Sequence, residues 1–134
     1  MARRLIIDTG VFVELDRGRN RLGDAVSIDD DCVVAAITIA ELQTGAELAT
    51  QAHRERREDF VSQILEAFPV VAYDFAVAAV HSSLMAHCHR AGSQRGAHDL
   101  IVAATALATG RTVLTTDKGA RFGDLPGVEA LVVE

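Results

Sequence analysis

The chain has no tryptophan, a single lysine (Lys118) and only two cysteines in 134 residues. Two cysteines are too few for a disulfide framework, and Cys32 and Cys88 lie in apolar or helical stretches, so both are expected to be reduced, packed thiols in a cytoplasmic protein. Long apolar runs are also lacking. "LIVAATALATG" stops at Arg111, well short of the roughly 20 residues of a membrane span. The basic start "MARR" leads into an apolar stretch that Asp8 interrupts before it reaches the length of a signal-peptide core. A soluble, unprocessed chain with no membrane association is expected. Positive charge is in deficit too: 13 basic against 19 acidic residues give a formal charge of -6, which ordinarily argues against a nucleic-acid partner.

Short apolar runs alternate with segments of helical spacing. Buried strands are predicted over 3–7, 32–37, 69–73, 111–116 and 129–133. Helices are predicted over 10–16, 38–48, 53–68, 74–90 and 98–109, with Gly110 placed to end the last of them. Continuous apolar strands alternating with helices argue for an α/β fold with a parallel sheet covered on both faces. No repeat, low-complexity tract or linker divides the chain, so residues 1–134 are expected to form one domain.

On that map the first apolar run, "RLIIDTG", ends in a carboxylate. Asp8-Thr9-Gly10 resembles the turn of an aspartic protease, but such an enzyme is all-β and needs two of these turns, and this helix-rich chain has one. Three further acids fall at comparable places: Glu41 in the first turn of the helix after the second strand, Asp99 opening the helix before the fourth, and Asp117 after the fourth strand. The carboxyl ends of parallel strands line one edge, where ligand sites form. Asp8 and Asp117 therefore share it, Glu41 belongs near it, and Asp99 joins if its helix starts there. Each acid has a plainer reading. Thr38 and Glu41 have capping-box spacing, Asp99 is a first-turn acid, and Asp117 can initiate a turn before Gly119. Asp8 is harder to explain away, because an acid ending a buried strand is costly unless satisfied. Four converging acids would repel one another without a cation, and a hard ion such as Mg²⁺ prefers carboxylate oxygens.

The segments "LIIDTGVFVEL", "ITIAELQTGA", "AHDLIVAATALATG" and "TVLTTDKGARF" resemble, in order and over nearly the whole chain, the PIN-domain ribonucleases, most closely the VapC-type toxins of toxin-antitoxin pairs. The resemblance implies a PIN-like three-layer α/β/α domain with a central parallel sheet of four to five strands. It implies a Mg²⁺ or Mn²⁺ site whose acids match Asp8, Glu41, Asp99 and Asp117, with Asp8, Asp99 and Asp117 as metal ligands. Thr9 and Thr116 would support the site or the substrate. Phe122 follows Asp117 by five residues, later than in many relatives. A VapB-like antitoxin, an RNA substrate, homodimers and larger toxin-antitoxin assemblies are implied, with DNA bound only through the antitoxin.

Metal-bound water and a metal clamp on phosphate oxygens supply what phosphodiester hydrolysis needs, with no side-chain nucleophile. Glu41 would hold or deprotonate the attacking water, and by resemblance the product carries a 5′-phosphate. His81, His87, Cys88 and His89 lack the i, i+4 spacing of a helical zinc site, while His98 could contact RNA or serve the surface or a helix cap. The arginines cluster at Arg3 and Arg4, at Arg17, Arg19 and Arg21, and in "HRERRE"; with the aromatics mostly at core-like spacing, RNA contacts would rest on arginine and metal. Setting aside the four site acids leaves a formal balance near -2, so the charge objection to RNA largely lapses. Two other readings are a receiver-like phospho-signalling domain, which also binds Mg²⁺ at an acidic sheet edge, and a catalytically inactive PIN-like binding module.

Overall fold

The computed structural model describes residues 2–19 and 22–133, so Arg21 of the second arginine cluster lies outside it. Five strands alternate with six helices: β1 (Arg4–Ile7), α1 (Thr9–Asp16), α2 (Leu22–Ala25), β2 (Asp31–Ala35), α3 (Ala36–Glu47), α4 (Gln51–Ala67), β3 (Val70–Val71), α5 (Phe75–Ala91), α6 (Ala97–Ala108), β4 (Thr112–Thr115) and β5 (Ala130–Val132). All strand pairs are parallel, in the order β3-β2-β1-β4-β5. Ile6 stands beside Val33 and Val113, which fixes the register of the three central strands.

Alternation along those strands builds the layers. Ile6, Val33 and Val113 face Val77, Leu84 and Cys88 of α5 and Leu100 and Val102 of α6. Their neighbours Ile7, Val34 and Leu114 point the other way, onto Val11 and Phe12 of α1, Ile39 of α3, and Val61 and Ile64 of α4. This is the expected three-layer α/β/α arrangement. A receiver domain would carry the order 2-1-3-4-5. The order found, with β1 central and β4 beside it, removes that alternative.

The edges of the sheet are shorter than the apolar runs suggest. β3 covers two residues, and Tyr73, expected to end it, is half exposed. Short edge strands limit pairing with other chains. β2 stops at Ala35 and α3 begins at the next residue, two earlier than predicted. The four-residue α2 has no counterpart among the predicted elements. Gly110, just beyond α6, has φ 64, as expected for a residue that ends a helix in the left-handed region. Asp74 caps α5 by accepting from the Val77 amide at 3.0 Å. Among the described residues no helix is long and apolar enough to cross a membrane.

Candidate active site

Parallel topology brings the four acids to one edge. Asp8 follows β1 and Asp117 lies just past β4, and these neighbouring strands mark the point where the strand order reverses, where open α/β sheets place their crevice. α3 runs back from the carboxyl end of β2 and carries Glu41. α6 feeds β4 and runs against it, so its first turn, with Asp99 as third residue, starts at the same edge. The acids are within electrostatic reach of one another: Asp99 and Glu41 act on Asp8, while Asp117 and Glu41 act on Asp99.

Asp8 is 6% exposed. It caps α1, its Oδ1 accepting from the Thr9 amide at 2.9 Å and its Oδ2 from the Thr115 hydroxyl at 2.9 Å. Burial pushes its carboxyl up to about 6, against the pull of those bonds, and the negative charges of Asp99 and Glu41 add to the rise. Thr115 Oγ1 also accepts from the Asp117 amide at 3.0 Å, so one buried hydroxyl links two of the acids. Asp117 in turn accepts from the Ala120 amide at 3.1 Å, capping the 3₁₀ turn over residues 118–120. Its turn-initiating role is therefore realised, at the same edge as the other acids.

Glu41 is held by α1. Its Oε1 accepts from the Thr9 hydroxyl at 2.7 Å, and its Oε2 faces His98 Nδ1 at 3.3 Å. The capping-box reading fails, because α3 starts at Ala36 with Ala35 as its cap, which puts Thr38 inside the helix and Glu41 in the second turn. Thr38 is fully buried, its hydroxyl 3.2 Å from that of Thr9.

Asp99 is half-buried. Burial raises its pKa first, and Asp117 and Glu41 add to the rise against His98 and Arg95. The peptide ahead of it comes close: a Cβ at Gly96 would stand 3.0 Å from Asp99 Oδ2. Across the site, a Cβ at Gly10 would meet Thr116 Oγ1 at 2.9 Å, so Thr116 packs on the start of α1. Arg95 donates to the carbonyls of Ala120 and Arg121, the latter at 2.7 Å, tying the loop before α6 to the loop after Asp117. Phe122 is buried in that second loop, which accommodates its late position in the sequence.

Sequence reasoning missed Thr115, Gly96 and Arg95, and read Thr38 only as a helix cap. Strand alternation alone could not choose between Thr115 and Thr116. The histidines outside the edge have other surroundings: His81 Nδ1 lies 2.8 Å from the Tyr73 hydroxyl, and Cys88 is buried in the core.

Among the described residues no three Asp, Glu, His or Cys side chains stand close enough to enclose an ion by themselves. Mg²⁺ does not need such a cage, since one or two carboxylates hold it while water and substrate phosphates fill the remaining positions. An all-oxygen set in which Asp8 and Asp99 are both crowded by like charge and partly desolvated fits that chemistry. Asp8 and Asp99 could hold such an ion, with Asp117 at the same edge.

The PIN-domain family model matches residues 5–126. The chain belongs to the PIN-domain family. A relative named ribonuclease VapC, from Rickettsia bellii (strain RML369-C), is 26% identical over 130 residues, covering 96% of each chain. Among solved structures, VapBC2 from Rickettsia felis, bound to a DNA fragment from its promoter, superposes with TM-score 0.88 at 16% identity, covering 98% of this chain and 99% of that one. VapBC-5 from Mycobacterium tuberculosis, a member of the VapBC family of toxin-antitoxin systems, superposes with TM-score 0.80 at 25% identity, covering 97% and 98%. The family match and these superpositions agree with the parallel α/β/α architecture described above.

Proposed function

We propose that this PIN-domain chain is a Mg²⁺-dependent endoribonuclease, with Mn²⁺ able to substitute, acting as the toxin of a VapBC-like pair. The observation that carries the reading is the meeting of Asp8, Glu41, Asp99 and Asp117 at the switch point of the sheet, with Asp8 buried and raised to about 6. The relative from R. bellii, named a ribonuclease, supports it.

Asp8 and Asp99 would hold the cation, with Asp117 contributing directly or through water. Such an ion, when bound, lowers the pKa of water and neutralises charge on phosphate oxygens. The Thr9 hydroxyl fixes one oxygen of Glu41, and Oε2, which faces His98, would position the attacking water and accept its proton. The water oxygen bonds to phosphorus as the P–O3′ bond breaks, giving a 5′-phosphate on one fragment and a 3′-hydroxyl on the other.

A structured cellular RNA, tRNA or rRNA, is the proposed substrate, and its cleavage would halt translation. The partner is a VapB-like antitoxin, as in the M. tuberculosis toxin-antitoxin structure. Homodimers and larger complexes with antitoxin follow from the same reading, with DNA contacted by the antitoxin alone. The test is incubation of a pool of structured RNAs with the protein in Mg²⁺, Mn²⁺ or EDTA, beside Asp8→Asn and Asp99→Asn. Cleavage that needs the metal and both aspartates is expected; metal-independent cleavage, or full activity in both variants, would sink the reading.

A further inference from the structure

We propose that the cleft between α1, α3 and α4 is a phosphate subsite that holds the RNA backbone one step away from the scissile bond, with Arg57 and Arg17 as its anion contacts. The proposal rests on the ribonuclease reading. The cleft has a volume of about 140 Å³ and is lined by Thr9 and Glu41 of the acidic site together with Asp16, Arg17, Arg57 and Phe60. That is below the roughly 300 Å³ at which small-molecule pockets begin, and suits a phosphate with part of its sugar better than an enclosed organic ligand.

Charge in the cleft is uneven in a way that favours an anion. Both acids are engaged elsewhere: Asp16 accepts from Arg56 Nη1 at 2.7 Å, while Glu41 is taken by Thr9 and His98. The arginines are not. Arg57 makes one hydrogen bond, from Nη1 to the Gly45 carbonyl at 3.2 Å, and its Nε is buried with no partner. A guanidinium has five N–H donors in a fork that matches phosphate, and Arg57 spends one of them on the Gly45 carbonyl, so its other terminal N–H groups are left for an anion in the cleft. Arg17 is exposed at the end of α1, and among the described residues no carboxylate pairs with it.

The test uses the full chain carrying Asp99→Asn to block cleavage, with binding of a fluorescein-labelled single-stranded RNA followed by anisotropy in Mg²⁺ over a range of salt. Arg57→Ala and Arg17→Ala should each raise Kd by about tenfold and reduce the salt slope by about 0.7, the contribution of one single-strand phosphate. Arg57→Lys should restore the slope but only part of the affinity, since it keeps the charge and loses the fork. Arg54→Ala, on the same helix but paired with Glu47 and Glu58, should bind as its parent does. If Arg57→Ala does not fold, Arg17→Ala decides, because that side chain holds nothing in the fold. Unchanged binding in the arginine variants, or an equal loss in Arg54→Ala, overturns the subsite. So does a result in which these variants keep RNA and lose a glutamate-rich peptide titrated in parallel. Cleavage by the unmodified chain is measured separately, so failure of the nuclease reading shows there and not in the binding comparison.

Discussion

The two ends of the central sheet treat carboxylates in opposite ways. At the amino end, Asp30 accepts from the Arg3 guanidinium and from the amides of Ser27 and Arg3, which together hold its carboxyl well below the usual carboxylate range. Asp31 beside it is bonded by Arg111, whose Nη1 also reaches the carbonyls of Asp31 and Leu5. At the carboxyl end, Asp8 is served by a hydroxyl and an amide, is pressed by Asp99 and Glu41, and stands raised at about 6. The first end uses its acids to hold the strands in register, whereas the second keeps them poorly neutralised. Acids that a fold leaves in that state are available to a ligand of opposite charge.

The largest expected break in this contrast is Asp8→Asn. Cleavage should fall by more than about a hundredfold, the scale of losing a principal electrostatic group at a reacting centre. Stability should move the other way. A carboxyl raised from 3.8 to about 6 favours the folded state below both values, and that favour is lost as pH rises through 6. By pH 7 the ionised group disfavours the metal-free fold by on the order of 3 kcal/mol. In EDTA, Asp8→Asn should therefore melt higher than the parent at pH 7.5 and level with it near pH 4. Thermal melts across that range check the sign, and a lower Tm at pH 7.5 would mean that Asp8 stabilises the fold as Asp30 does.

Next comes Thr115→Val. Its hydroxyl serves both Asp8 Oδ2 and the Asp117 amide, so its loss leaves a buried carboxylate oxygen and a part-buried amide without that partner. Unfolding free energy should drop by about 1 to 3 kcal/mol, and activity by about 10- to 100-fold, as for other groups that orient metal ligands. Thr115→Ser should recover most of both. Thr116→Val, one residue on, should affect stability much less; if it matches Thr115→Val, the division of labour between the two threonines is wrong.

That division shows where the sequence stopped being legible. Asp8 and Asp117 were readable because a continuous apolar run ends at each, and a parallel sheet puts such ends on one edge. Asp99 needed only the further step that a helix feeding a strand runs against it. Thr115 was not readable, since both threonines end the same run and a one-residue difference in alternation decides which one faces Asp8. The start of α3 was obscured because Ala35 caps it with no side-chain bond, while Thr38 and Glu41 mimic a cap three residues later. β3 was overestimated for a related reason: apolar composition marks burial, and 69–73 meets the sheet at only two residues.

A smaller effect is expected from Gly96→Ala. The new methyl would stand 3.0 Å from Asp99 Oδ2, tighter than ordinary van der Waals contact, so the carboxylate must shift by a few tenths of an ångström. Misplacement of a reacting group by a full ångström costs about a hundredfold, so a shift of this size should lower kcat several-fold and leave Tm nearly unchanged. A variant with the parent's kcat would show that the Asp99 end of the site tolerates movement that the Asp8 end does not.

The smallest effect belongs to the amino end and fixes the sign of the whole comparison. Asp30→Asn removes a charge that Arg3 holds, far from the acidic crevice, so cleavage should be unaffected and Tm at pH 7 should fall by only a few degrees. Its pH dependence is the reverse of that at Asp8. A depressed carboxyl stabilises the fold above the unfolded value of 3.8 and loses that contribution as pH drops below it. The parent's advantage over Asp30→Asn should therefore be constant from pH 8 to pH 5 and shrink below pH 4, whereas the gain from Asp8→Asn grows from pH 4 upward. Both melting series on one pH axis should diverge in opposite directions; curves that run parallel would mean that the two ends of the sheet handle charge alike.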